Sequence, residues 1–137
     1  MVLGKKLWEE KGKVTGMSVK SIDSEGVHIE ETFASEFKGI GRFPSGRNMG
    51  TINVVTRPDG FSSGTGQGMC TTQDGDMFVW KCYALSKTEA GKDKGPAIIQ
   101  FMTTSQKLSW MSSLIAVYEG ISDLKTREFS GTGYEWK

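Results

Sequence analysis

The chain is poor in the residues that metal cages and disulfide frameworks require. Its 137 residues include a single histidine, His28, and two cysteines, Cys70 and Cys82. One histidine gives a His-based metal cage at most one nitrogen ligand, and no nucleophile is placed beside it. We therefore expect a surface histidine, no bound metal and no cofactor. We also expect reduced, buried cysteines, because a cross-strand disulfide requires a longer turn between them.

A surplus of charge of either sign is also missing, and so is any long apolar run. Seventeen basic and sixteen acidic residues give a formal net charge of +1. That balance argues against nucleic acid as a partner, since a nucleic-acid surface requires a basic face that neutralises phosphates. No apolar stretch approaches the roughly 18 residues of a membrane helix, and the first residues lack a secretory signal. We expect a cytoplasmic protein with no membrane partner.

Proline is scarce and glycine abundant, with 3 and 18 residues. This pairing is typical of a chain with many tight turns, bulges and bent strands. Turn sequences lie at residues 24–26, 57–60 and 74–75. Between such turns apolar and polar residues alternate, most clearly over residues 27–38, and this period of two predicts strands.

The predicted segments amount to about eight strands joined by short connections, which favours a meander of antiparallel hairpins. Closure into a barrel removes the exposed edges. We therefore predict an all-β, up-and-down antiparallel barrel, one domain over residues 1–137, with a short helix near residues 105–112. The first strand is predicted over residues 7–22, with the chain ends meeting through Trp8 and Trp136. The repeated Ser-Gly-Thr-Gly at residues 63–66 and 130–133 is interpreted as barrel corners.

Three glutamates are the candidate catalytic groups. Glu31 shares the mainly apolar face of its predicted strand with Phe33. A carboxyl in such a setting has a raised pKa and can act as a general acid or base. Glu119 and Glu128, on the last two predicted strands, are further candidates. For each of the three, the alternative is a solvated or ion-paired carboxylate.

The candidate ligand-binding residues are Phe33, Gln67, Trp80 and Tyr118. Glycines flank Gln67 and leave space beside its amide for a ligand. The alternative is that these glycines only make room for Trp80. Two basic loops at residues 42–48 and 87–95 are solvated by default, or together form a rim at one end of the barrel that attracts an anion.

The order of turns and glycines resembles that of small uncharacterised bacterial and archaeal barrel proteins. Their architecture is similar to that of allene oxide cyclase and lipocalin-like barrels. The resemblance covers most of the chain and rests on residues 57–60, 64–68, 71–76, 80, 118–119 and 134–136. It implies an eight-stranded barrel with a cavity and a homo-oligomer as the assembly. Allene oxide cyclases isomerise a fatty-acid epoxide without a cofactor, but no local motif here matches their catalytic residues.

Three functional hypotheses follow. The first is a barrel that binds a small apolar or amphipathic molecule in its lumen, oriented by Gln67 and Glu119. The second is a cofactor-independent isomerase or cyclase of the allene oxide cyclase type, with an inward Glu31, Glu119 or Glu128 as acid or base. The third is an OB-like nucleic-acid module, although no predicted strand face combines aromatic and basic residues. The residues leave open whether the lumen is a pocket or a packed core.

Overall fold

The computed structural model describes residues 3–137, which form one closed sheet of eight antiparallel strands. Each strand pairs with its neighbours in sequence, and the last strand pairs with the first. The predicted all-β, up-and-down barrel is confirmed. The strands are β1 (Leu3–Ile22), β2 (Val27–Gly39), β3 (Gly46–Thr56), β4 (Phe61–Thr72), β5 (Met77–Glu89), β6 (Lys92–Met102), β7 (Ile115–Asp123) and β8 (Glu128–Trp136).

The predicted helix is present as one tight turn. It is a 3-10 helix at Ser109–Ser113, shorter than the predicted span and shifted toward the C-terminus. The amide of Met111 donates to the carbonyl of Leu108 at 2.9 Å, and both side chains are buried. This close packing favours i to i+3 hydrogen bonds, which suit only short segments. Among residues 3–137, no helix has the length and apolar character needed to cross a membrane.

The chain ends meet, although not through the two tryptophans. Trp8 pairs with Gly133, whereas Trp136 pairs with Leu3 and is 49% exposed. The first strand also begins four residues earlier than predicted, at Leu3 rather than Leu7. The predicted contact between Trp8 and Trp136 is therefore wrong, because the β1–β8 register places a glycine, and not a second indole, opposite Trp8.

In a meander, successive connections alternate between the two ends of the barrel. We call one the closed end, with connections at residues 40–45, 73–76 and 103–114. The other is the open end, with turns at residues 23–26, 57–60, 90–91 and 124–127. The two basic loops therefore lie at opposite ends. Three strands, β3 to β5, separate the two loops, and each strand carries the chain from one end of the barrel to the other. The alternative in which the loops form one rim is therefore wrong.

An aromatic cluster fills the closed end. Phe43, from the connection between β2 and β3, stacks on Trp8 with ring centroids 4.8 Å apart. It also makes edge contacts with four further rings, those of Phe37, Phe78, Phe101 and Trp110. The side chains of Leu108 and Met111 are buried at the same end. This end is therefore packed solid, and the lumen opens at the other.

Glycines on the inner face accommodate large aromatic side chains. A Cβ on Gly68 would lie 2.5 Å from Trp80 Cε2, and a Cβ on Gly133 would overlap the ring of Trp8. The ring and hydroxyl of Tyr118 occupy the corresponding space above Gly131. The glycines near Gln67 thus make room for Trp80, which was the alternative considered for them. In the second Gly-Thr-Gly segment, both glycines therefore accommodate the close approach of a ring. In the first segment, Gly66 lies near Trp80, whereas no ring approaches Gly64.

Candidate ligand site in the barrel lumen

A cavity of about 420 Å³ occupies the lumen between the aromatic cluster and the open end. Residues of all eight strands line it, so its walls are the barrel itself. Cavities of roughly 300–1,000 Å³ with mainly apolar walls are typical of small-molecule sites. The barrel interior is therefore a packed core at one end and a pocket at the other.

Aromatic rings form one wall of the cavity. The ring centroid of Phe33 lies 5.9 Å from that of Trp80 and 5.5 Å from that of Phe129. Phe33 and Trp80 are 9% and 7% exposed and face the lumen, as predicted. On β5, Ala84 pairs with Gly64 on one side and Ala97 on the other. This row of three small residues leaves the space that the rings do not fill.

Glu10 lies buried at the floor of the cavity, where three donors converge on its carboxylate. The Trp8 indole Nε1 donates to Oε1 at 3.2 Å. Asn48 Nδ2 donates to Oε2 at 3.0 Å, and the Ser35 hydroxyl donates to the same oxygen. Within residues 3–137, Glu10 has no basic ion-pair partner. Hydrogen bonds therefore replace the water that burial removes from this carboxylate.

Asn48 extends this polar network to the aromatic wall. Its Oδ1 accepts a hydrogen bond from Trp80 Nε1 at 2.8 Å and one from the Cys70 thiol at 3.4 Å. Burial raises the pKa of Cys70 far above its usual range and that of Cys82 to about 11. The two cysteines are free, as expected, and stay protonated at neutral pH. The network thus positions the indole of Trp80, and its cysteine stays in the unreactive thiol form.

Tyr118 contributes a hydroxyl to the cavity. Its ring stacks on Trp8 with centroids 6.3 Å apart and crosses the inner face of β8. The hydroxyl oxygen is buried and has no hydrogen-bond partner in the described part of the chain. Burial and the nearby charge of Glu10 raise the pKa of Tyr118 far above its usual range. The lumen therefore contains a neutral hydroxyl with free hydrogen-bonding capacity.

Glu31 is the predicted glutamate that lines the cavity, closer to the open end. Burial raises the pKa of its carboxyl, and the negative charge of Asp93 acts in the same direction. The positive charge of Arg127 opposes this shift. A carboxyl that keeps its proton to higher pH on the wall of an apolar cavity can donate that proton to a bound molecule.

Three predicted site residues lie outside the lumen. Glu119 and Glu128 are exposed, because they adjoin the inward-facing Tyr118 and Phe129 and alternation turns them outward. Gln67 is also exposed, since it lies between two inward-facing glycines. The prediction that these side chains reach the lumen is therefore wrong.

Glu10 and Asn48 are polar lumen residues that the sequence patterns do not predict. Glu10 stands in the charged run Glu9-Glu10-Lys11, which is typical of a solvated face. The signal for its inward position is its spacing of two from Trp8. The composition of residues 42–48 predicts a basic loop, but Asn48 is the third residue of β3.

His28 lies outside the cavity, at the first turn. Its Nε2 is 2.9 Å from Asp23 Oδ2, and the backbone amide of Glu25 donates to Asp23 Oδ1 at 2.9 Å. The backbone hydrogen bond and the contact with His28 lower the pKa of Asp23. These contacts account for the cluster of Asp23, Glu25 and His28 as turn structure.

Comparisons with known proteins place this barrel among solved folds. No protein-family model and no curated protein sequence matches the chain. A protein of unknown function from Clostridium acetobutylicum is structurally similar, with a TM-score of 0.85 and 14% identity over 100% of this chain and 99% of that one. A beta-barrel like protein from Acinetobacter baumannii has a TM-score of 0.85 and 16% identity, covering 98% and 95% of the two chains.

A third similar structure is an enzyme from Penicillium herquei, with a TM-score of 0.71 and 14% identity. The likeness covers 98% of this chain and 96% of the enzyme. At these identities the comparisons support the barrel fold and no more. None of the three is named an allene oxide cyclase or a lipocalin.

Proposed function

We propose that this barrel binds a small, largely apolar molecule in its lumen. The observation that carries the proposal is the cavity of about 420 Å³, closed at one end by packed aromatic side chains. Burying apolar ligand surface there is favourable by about 25 cal/mol per Å². A few polar groups at the floor and near the open end would orient the ligand, as in most small-molecule sites.

A lumen-filling substitution tests this proposal. Ala84→Phe would place a ring between Gly64 and Ala97, the small residues beside Ala84 on the inner face. We expect the affinity for a hydrophobic fluorescent dye to fall at least about tenfold, because the ring occupies the ligand volume. Fluorescence titration measures this change.

The matched control is Thr65→Phe, which adds the same ring to an exposed position on the neighbouring strand. We expect this variant to bind the dye like the wild type. Equal affinity in Ala84→Phe and the wild type, with both folded by circular dichroism, would show that the dye binds elsewhere.

A second candidate function is a cofactor-independent isomerase or cyclase that acts through Glu31. What favours it is the position of this carboxyl on the cavity wall, where burial raises its pKa. Protonated Glu31 would donate its proton to a substrate oxygen and recover a proton from the product-forming intermediate. The reaction is then an isomerisation without change of mass, and it consumes no cofactor.

Conversion of an unsaturated fatty-acid epoxide to a cyclic isomer of equal mass, followed by chromatography and mass spectrometry, tests this candidate. We expect Glu31→Gln to lower kcat about 100-fold, because the amide cannot donate the proton. Glu30→Gln, at the neighbouring outward position on β2, is the control and should leave kcat unchanged. Wild-type turnover that survives in Glu31→Gln would rule out this carboxyl as the acid.

A further inference from the structure

Two groups at the floor of the lumen have hydrogen-bonding capacity that the described residues leave unused. The hydroxyl of Tyr118 is buried without a partner. The carboxylate of Glu10 is used unevenly: Oε2 accepts from Asn48 and Ser35, whereas Oε1 accepts from Trp8 alone. A carboxylate oxygen has two acceptor sites, so Oε1 keeps one free.

The strand register brings these two groups together. Gly131 on β8 pairs with Glu10 on β1 and with Gly120 on β7, so all three share the inner face. The ring of Tyr118 crosses this row, with Cε2 2.6 Å from the position of a Gly120 Cβ and the hydroxyl above Gly131. The hydroxyl therefore reaches the row of residues to which Glu10 belongs.

The charges around the cavity disfavour an anionic ligand. Among residues 3–137, Glu10 and Asp93 are acidic groups on the lumen wall that a ligand anion would meet, and Arg127 is the one basic residue that lines it. At the floor, Glu10 is held by hydrogen-bond donors without a cation. A ligand carboxylate there would meet a like charge in a weakly screened environment.

We infer that the lumen selects an uncharged ligand with a hydroxyl group, which accepts a hydrogen bond from Tyr118 and donates one to Glu10. A hydroxyl does both at a single oxygen, whereas an ether or ketone only accepts. The apolar remainder of the ligand lies against Phe33, Trp80 and Phe129. The inference rests on the proposed lumen binding and assigns the ligand class: an apolar alcohol or phenol.

Three matched probes test this assignment by isothermal titration calorimetry. They are 2-naphthol, its methyl ether 2-methoxynaphthalene, and 2-naphthoate, whose flat rings suit the aromatic wall. We expect 2-naphthol to bind about tenfold or more tightly than the ether, because a hydrogen bond donated to a carboxylate is charge-assisted. We expect 2-naphthoate to bind more weakly than both.

The variant Tyr118→Phe isolates the hydroxyl, and Tyr83→Phe is its control because Tyr83 is 59% exposed on the outer face. Loss of one neutral hydrogen bond should weaken the binding of 2-naphthol about three- to tenfold in Tyr118→Phe. The affinity of Tyr83→Phe for 2-naphthol should equal that of the wild type. The ligand-free Tyr118→Phe protein should unfold at the same or a higher temperature, since the lost hydroxyl has no partner. If Tyr118 had only a structural role, Tyr118→Phe would bind 2-naphthol like the wild type and would unfold at a lower temperature.

Other outcomes overturn the inference. Equal binding of 2-naphthol and its ether, lost in Ala84→Phe, would overturn the hydroxyl assignment and leave the lumen-binding proposal standing. Tightest binding of 2-naphthoate would also overturn it, and would assign recognition to Arg127. If the dye binds in the lumen but no naphthalene probe does, the inference fails alone. If the dye also fails to bind there, the proposed function fails with it.

Discussion

Two glutamates of the same lumen illustrate how the surroundings of a carboxyl decide its chemistry. Three donors converge on Glu10, and these hydrogen bonds replace the water that burial removes from its carboxylate. For Glu31 the largest influence is burial, which favours the neutral form and raises the pKa. A carboxylate held by hydrogen bonds at the floor and a carboxyl that keeps its proton to higher pH near the open end therefore coexist in one cavity.

The raised pKa of Glu31 predicts how stability depends on pH. The unfolded chain releases this proton near the usual value of 4.5, whereas the folded protein retains it to higher pH. The contribution of Glu31 to the free energy of unfolding is thus fully present below pH 4.5 and is lost as the pH rises through the folded-state value.

Glu31→Gln removes this dependence. The free energy of unfolding of the variant, relative to the wild type, should increase above pH 4.5 and level off above the folded-state pKa. Urea unfolding of both proteins from pH 4 to 7 measures the difference. A difference that stays constant over this range would contradict the raised pKa.

At the scale of elements, the connection between β2 and β3 fills the closed end of the barrel. Its residue Phe43 is 5% exposed and contacts five other rings, so a loop side chain is the centre of the aromatic cluster. Arg42, in the same loop, adds a cation–π contact to this cluster, with its guanidinium 4.0 Å from the ring centroid of Trp110. The loop therefore contributes to the core of the barrel in the way that strand residues do.

Phe43→Ala should lower the free energy of unfolding by about 3–5 kcal/mol, because it removes a buried ring and leaves a cavity among packed neighbours. Chemical denaturation measures the loss. Ile40→Ala, in the same loop at a position 41% exposed, should lower the free energy of unfolding much less. Similar losses in the two variants would mean that the aromatic cluster does not close the barrel as described.

At the scale of the whole molecule, the pairing of β1 with β8 turns a meander into a barrel. At this seam, Trp8 packs over Gly133, and a side chain at residue 133 would occupy the space of the indole ring. The same ring also stacks on Phe43 and Tyr118. One tryptophan therefore belongs to the β1–β8 seam, to the packing of the closed end and to the wall of the cavity.

Gly133→Val should destabilise the barrel by about 1–3 kcal/mol or more, since overpacking at the seam must displace Trp8. Thr132→Val, at the adjacent outward position, should be nearly neutral. Thermal unfolding with tryptophan fluorescence measures stability and ring environment together. A stable Gly133→Val protein with unchanged fluorescence would contradict the packing of Trp8 on this glycine.

Local signals were sufficient for the fold and for part of the cavity wall. Alternation over β2 correctly placed Glu31 and Phe33 on the inner face. For Glu119 and Glu128, position on a predicted strand alone does not choose a face, and both side chains point outward. Gln67 was misplaced because its neighbouring glycines have no side chain that would mark the inner face.

The sequence by itself determined the eight-stranded meander and its closure, because turn residues and the period of two act between neighbours along the chain. Only the tertiary structure decided that the lumen is packed at one end and open at the other, since that depends on the ring of Phe43 entering from a loop. It also decided which polar groups meet at the floor. Glu10, Asn48 and Tyr118 are far apart in sequence, and strand register across the closed sheet brings them together.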